Sequence, residues 1–228
     1  MFLKEKMKQV FAFLSELSRN NTREWFTENK GRYQESLGQF REFATELIAG
    51  ISTFDPTLEG IDAKQAIFRI YKDVRFSKDK LPYKTHFGCW ITKGGRKSTD
   101  AGYYLHLEPG KSFAAAGVWM PPAEQLKLIR QEILYNPKAY LKVIDNPHLQ
   151  KKYERGGTED MLKRGPAGFP QDFPHIDELK YKHFIFSRTH KDSDLTNSKA
   201  VSLLTEDFQG LYPLVSYLNQ AMSFSGNY

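Results

Sequence analysis

Three features of the 228-residue sequence predict an α+β fold. Apolar residues recur at helical spacing through roughly the first fifty positions, the pattern turns to short β-like runs between residues 66 and 118, and helical spacing returns after Pro121-Pro122 and at the end of the chain. Strands joined by turn-length connections pair antiparallel, because a parallel crossover needs about a dozen residues or more. No repeat, low-complexity tract or linker divides the chain. The expectation is one domain over residues 1–228, an antiparallel β-meander packed with N-terminal, middle and C-terminal helices.

The elements follow in order. Met7, Val10, Phe11, Leu14 and Leu17 lie on one side of a helix over residues 4–17, with Lys4, Lys6, Lys8 and Glu16 on the other. Ser18 to Asn21 breaks that pattern. Asn21 with Glu24 three residues on is a capping-box variant, and it opens a second helix carried by Trp25, Phe26, Tyr33, Leu37, Phe40, Phe43, Leu47 and Ile51 to about residue 50. Gly31 and Gly38 each weaken that helix by about 1 kcal/mol relative to alanine. Four strands are then expected over residues 66–71, 86–92, 102–108 and 113–118, with Gly94-Gly95 and Pro109-Gly110 as turns. Pro121-Pro122 starts a helix to about Tyr135, and residues 137–145 suit another. The charged, Gly- and Pro-rich stretch 151–174 reads as a long, partly ordered loop. Phe184 to Ser187 is a further strand, and residues 198–222 carry helical repeats broken by Gly210 and Pro213.

Composition excludes several classes. With 40% apolar residues, one cysteine and a net charge of +6, the chain is neither disordered nor a disulfide scaffold. No apolar run approaches the roughly 18 residues of a membrane helix, and MFLKEKMKQVF lacks the continuous apolar stretch of an export signal. A cytoplasmic protein with no membrane partner is expected. Cys89 has no partner for a disulfide, a Cys-x-x-Cys redox site or a multi-cysteine zinc site.

Charge is concentrated in the middle of the chain. Residues 69–84 carry Arg69, Lys72, Arg75, Lys78, Lys80 and Lys84 against Asp73 and Asp79. A local positive potential of this kind favours phosphate, nucleic acid or another polyanion, and weakens with salt. Arginine forks and lysine ammoniums bind phosphate oxygens, and Tyr71, Phe76 and Tyr83 offer faces for stacking a base or sugar. Together they make the parts of an anion pocket. The same residues also suit a solvated loop whose bases pair with Asp73 and Asp79 and whose aromatics belong to the core.

A second constellation comes from strand alternation: Tyr103, Leu105 and Leu107 point one way, Tyr104, His106 and Glu108 the other. Symmetric pairing across residues 93–101 sets His86 against Glu108, Gly88 against His106 and Trp90 against Tyr104. In that register His86 and Glu108 form a pair suited to acid-base chemistry at neutral pH, or a satisfied structural histidine. Asp73, His86, His106 and Glu108 are therefore the candidate catalytic groups. A metal reading of His86, His106 and Glu108 has neither HExxH spacing nor a cysteine cluster behind it, so no metal is expected. Other motifs fail. Gly94-Gly95-Arg96-Lys97-Ser98-Thr99 has an arginine before its lysine and lacks the spacer of a phosphate loop, and no GxGxxG or GxSxG occurs. Lys163-Arg164-Gly165-Pro166 and Ser187-Arg188 are further cationic sites that nothing in the sequence places near the central loop. Trp25 and Trp119 read as packing residues.

Four stretches carry a resemblance. Asn20 to Phe26 (NNTREWF), the run Phe68 to Phe87 (FRIYKDVRFSKDKLPYKTHF), Tyr103 to Pro109 (YYLHLEP) and Lys163 to Pro166 (KRGP) resemble a conserved hypothetical protein family, a domain of unknown function. The resemblance spans nearly the whole chain and implies a single conserved unit. It brings no substrate, cofactor or catalytic residue with it.

The residues thus predict a protein that binds a phosphate-bearing ligand, a small phosphorylated molecule or nucleic acid, with Arg69, Arg75, Lys78, Lys80 and Lys84 as anion contacts. The rivals are an enzyme acting on such a ligand and an interaction protein whose basic strip docks an acidic partner. The cofactor and the oligomeric state are left open.

Overall fold

The computed structural model describes residues 2–73 and 80–223. Its first part is helical: α1 (Phe2–Arg19), α2 (Arg23–Glu28), α3 (Lys30–Ser52) and the short α4 (Ala63–Ala66). The strands are β1 (Phe87–Ile91), β2 (Gly102–Leu107), β3 (Phe113–Val118), β4 (Glu154–Arg155) and β5 (Phe184–Thr189), and they form an antiparallel sheet in the order β1-β2-β3-β5-β4. Between β3 and β5 lie α5 (Ala123–Tyr135), α6 (Pro137–Ile144), α7 (Pro147–Lys152) and α8 (Ile176–Leu179), and α9 (Asp192–Leu195) and α10 (Ala200–Ser223) follow β5. The chain is α+β, as its periodicities predict.

Internal contacts divide the chain into two compact units. The first comprises Met1–Arg96, Tyr104–Ala114 and Thr189–Asp207, the second Lys97–Tyr103, Ala115–Arg188 and Phe208–Tyr228. In the first unit α1 packs along α3, burying Met7, Val10, Leu14 and Leu17 together with Phe40, Phe43 and Leu47. These are the positions whose helical spacing marked a buried stripe. In the second unit Arg155 on β4 forms an ion pair with Glu178 on α8 at 2.6 Å, donates to the Tyr140 hydroxyl at 2.8 Å and lies 3.7 Å over the Tyr181 ring. The Tyr140 hydroxyl in turn donates to Glu178 at 3.0 Å. Both Glu178 carboxylate oxygens, the Tyr140 hydroxyl and the two terminal guanidinium nitrogens of Arg155 thus have partners, the condition under which such a group is tolerated away from water.

Four local expectations differ from the structure. The helix expected from Asn21 to about residue 50 is two helices, because Asn29 ends the first turn-and-a-half by donating its side-chain amide back to the Trp25 carbonyl at 2.9 Å. Thr22, not Asn21, is the cap, its hydroxyl accepting from the Trp25 amide at 3.2 Å. Asn21 is buried instead and clamps the Tyr83 backbone, donating to its carbonyl at 3.0 Å and accepting its amide at 3.1 Å. That clamp ties the helical N-terminus to the segment that carries the candidate site.

The expected strand 66–71 begins as the end of α4 and continues as an extended strip joined to residues 82–89 by the bridges Ile67↔Cys89 and Tyr71↔Tyr83. Three residues separate the bridges on one side, 68–70, and five on the other, 84–88. The two-residue excess is a bulge, which interrupts the ladder and re-aims side chains. Finally, α10 runs unbroken through Gly210 and Pro213. An interior proline costs about 3 kcal/mol, but the apolar face of α10, with Leu204, Phe208, Leu211, Leu214 and Leu218, is fully buried and offsets it. Gly210 is needed there because the Tyr153 hydroxyl lies 2.5 Å from where a Cβ would stand.

Candidate functional site

The site is built in the first unit by the bulge, the end of β2 and the start of β3. Along β2 the alternation read from the sequence is realised. Tyr103, Leu105 and Leu107 are fully buried, whereas Tyr104 and His106 are half-buried on the other face. Phe113 at the start of β3 stacks on the His106 ring at 4.8 Å and fixes its plane. The bulge brings Thr85 and His86 over that face, so that the His86 and His106 rings stand 4.0 Å apart. The side-chain ligand atoms of His86, His106 and Glu108 all lie within 4.8 Å of one another.

Hydrogen bonds order the cluster. One Glu108 oxygen accepts from the Thr85 hydroxyl at 2.6 Å, and the other lies 3.1 Å from His106 Nε2. A carboxylate can only accept, so Nε2 carries the proton in this arrangement and His106 Nδ1 accepts from the Tyr104 hydroxyl, 3.2 Å away. Gly88 makes room for that hydroxyl, which lies 2.8 Å from where a Cβ on residue 88 would be. Neither ring nitrogen of His86 has a protein hydrogen-bond partner among the described residues.

Burial and charge set the protonation states. Burial, then the neighbouring His106, pushes His86 down to about 4, with Lys84 and Lys72 acting in the same direction and Glu108 opposing. Its imidazole is therefore neutral at neutral pH. Burial raises the Glu108 carboxyl, but the Thr85 and His106 hydrogen bonds outweigh it and hold the group below the usual carboxylate range. Burial pushes the Tyr104 phenol up to about 12, so it acts as a neutral hydroxyl.

The cationic residues predicted from the sequence fall in different places. Lys84 lies on the bulge, half-buried with its ammonium 5.4 Å from the centre of the Phe68 ring, and burial followed by the charge of Arg69 lowers its pKa. Arg69 is exposed on the facing strip. Lys72 and Lys80 flank the same loop, each with interactions of its own, as has the exposed Asp73. Arg75 and Lys78, with Phe76, lie outside the described residues. Of the two predicted stacking rings, Tyr71 is 48% exposed, while Tyr83 is buried with one face against Phe26 at 3.9 Å. Lys163 and Arg164 belong to the second unit, where Pro166 to Phe169 line a cleft of about 410 Å³ with Lys127 and Arg130.

The structure thus brings His86, His106, Glu108, Lys84 and Arg69 into one neighbourhood. Thr85 was not legible as part of it, because its role depends on the bulge. Two further histidine–carboxylate contacts escaped the sequence reading. His190 Nε2 lies 3.0 Å from Asp207, but their side chains are 1% and 0% exposed, which closes that pair to any ligand. In the second unit His183 Nε2 lies 3.3 Å from Asp160, and the ring is covered by Trp119 and held by the Met120 amide at 3.0 Å.

Fold and site together define an α+β protein with a half-buried His-His-Glu cluster beside a cationic strip. The chain belongs to the conserved hypothetical protein family DUF2461, whose family model matches residues 9–217. No curated protein and no solved structure gives a match. Among the described residues no helix is long and apolar enough to cross a membrane.

Proposed function

We propose that the protein binds a phosphate-bearing ligand at the strip formed by residues 68–72 and 82–86, with Arg69 and Lys84 as the central anion contacts. The observation that carries this reading is the environment of Lys84. Its ammonium is partly withdrawn from water against Phe68, it shares its surroundings with a second cation, Arg69, and no carboxylate faces it among the described residues. A buried charge is stable when it is paired, and an anion placed between Lys84 and Arg69 compensates both. Lys72 extends the positive field across His86, and the nearest acidic group of the cluster, Glu108, is already engaged by Thr85 and His106. Lys80, and with it Arg75 and Lys78 from the same basic run, would extend the contact to a longer polyanion, while the exposed Tyr71 ring offers a face to a base or sugar.

Calorimetric titration with short-chain polyphosphate in the presence of a chelator tests the proposal. Binding is expected at low salt, weaker at moderate salt, and weaker by more than tenfold in the Arg69→Ala/Lys84→Ala double variant. Equal affinity of the double variant and the wild type refutes it.

A further inference from the structure

We infer that His86, His106 and Glu108 form a binding site for a divalent first-row transition-metal ion. The inference goes beyond anion binding and does not require it.

Three donors on one open face are the number and type that such ions take. Two imidazoles and a carboxylate form the facial arrangement of many metal sites with open positions, and this donor set suits zinc, iron, cobalt or manganese rather than a thiolate-seeking ion. The lone thiol, Cys89, is fully buried and takes no part. Bonds of about 2.1 Å in tetrahedral geometry set neighbouring donors about 3.4 Å apart. His106 Nε2 and Glu108 Oε2, 3.1 Å apart, already meet that spacing. The widest separation, within 4.8 Å, closes by side-chain rotation of residues that are half-buried rather than packed solid.

The surroundings also suit a metal. Ligating histidines characteristically hold their other ring nitrogen on a hydrogen-bond partner, and ligating carboxylates are themselves hydrogen-bonded. The Tyr104 hydroxyl stands at His106 Nδ1, and the Thr85 hydroxyl holds the Glu108 oxygen that does not face His106. With the ion on Nε2, Nδ1 carries the proton and donates to the Tyr104 oxygen, a rotation of one hydroxyl. His86, which has no hydrogen-bond partner among the described residues, supplies the third donor.

The test uses the full chain, stripped with a chelator and returned to phosphate-free buffer, so that its outcome is independent of anion binding. Zn²⁺ titration is expected to give one tight site per chain. His86→Ala and Glu108→Gln each weaken it by about 100-fold or more, whereas His148→Ala, which removes an exposed histidine of the second unit, leaves it unchanged. Because a site variant can fail to fold, a second measurement uses wild-type protein alone. Co²⁺ is expected to shift or broaden the ring-proton resonances of His86 and His106 before those of any other histidine. Zn²⁺ binding unaltered in His86→Ala and Glu108→Gln, or Co²⁺ effects confined to other histidines, overturns the inference.

Discussion

Replacing Lys84 by methionine separates a binding cation from a structural one, because the two roles move two measurements in different directions. Methionine keeps an unbranched apolar stem against Phe68 and removes only the charge. A charge-assisted hydrogen bond to an anion is worth about 1.5–3 kcal/mol, and a half-buried ammonium belongs at the lower end of that range. The affinity for short-chain polyphosphate should therefore fall about tenfold, and the slope of log affinity against log salt should become shallower by about one. Stability should move the other way. Burial and Arg69 lower the Lys84 pKa below its unfolded value, so between the two the unfolded chain binds more protons and stability rises with pH. The charge of the half-buried side chain beside Arg69 weighs against the folded state, and Lys84→Met should melt at the same or a higher temperature. The assays are calorimetric titration and thermal denaturation of the same preparations. Unchanged affinity and slope would refute the role assigned to Lys84, and a lower melting temperature would show that its charge has a stabilising partner.

Other expectations follow from packing and protonation. Gly88→Ala drives a methyl against the Tyr104 hydroxyl, and the lost support of His106 should weaken Zn²⁺ binding by about tenfold or more with the fold intact, as circular dichroism would show. Glu178→Ala leaves Arg155 half-buried and unpaired at a cost of about 3 kcal/mol, a fall of roughly 6–12 °C in Tm by scanning calorimetry, and a change under 2 °C would contradict the pairing. Gly117 has φ +126°, and a Cβ there would lie 1.9 Å from the Phe184 carbonyl oxygen, so Gly117→Ala should cost more than about 3 kcal/mol and show little cooperative unfolding. Burial pushes the Cys89 thiol up to about 12, partly offset by a hydrogen bond to the Leu105 backbone. On the order of one molecule in ten thousand is thiolate at pH 8, and a disulfide reagent should react with native protein far more slowly than with unfolded protein.

What the sequence made legible depended on the range of the interactions involved. The face of β2 was readable because alternation is a local rule, and β3 was placed at Phe113–Val118 because a Pro-Gly turn precedes it. The same rule put His106 and Glu108 on the open face of the sheet. The break at Asn29 was hidden because helical periodicity continues through it, and only the back-bond to Trp25 reveals the end. Gly210 and Pro213 signalled a stop that long-range burial of the α10 face overrides. The strip 67–72 kept its extended backbone but lost its regular ladder to the bulge, and no local pattern shows a two-residue excess. The proximity of His86, His106 and Glu108 was hidden for the same reason: the three side chains come from a loop and a strand end rather than from one helix, so no fixed spacing records them.

The two-sidedness of β2 has a practical corollary. One side of a six-residue strand is sealed into the interior, and the other presents Tyr104 and His106 to the half-buried cluster that Glu108 completes. Positions 104, 106 and 108 can be varied as a set while residues 103, 105 and 107 keep the wall standing, so chemistry here can drift, in the laboratory or in descent, without renegotiating the architecture behind it.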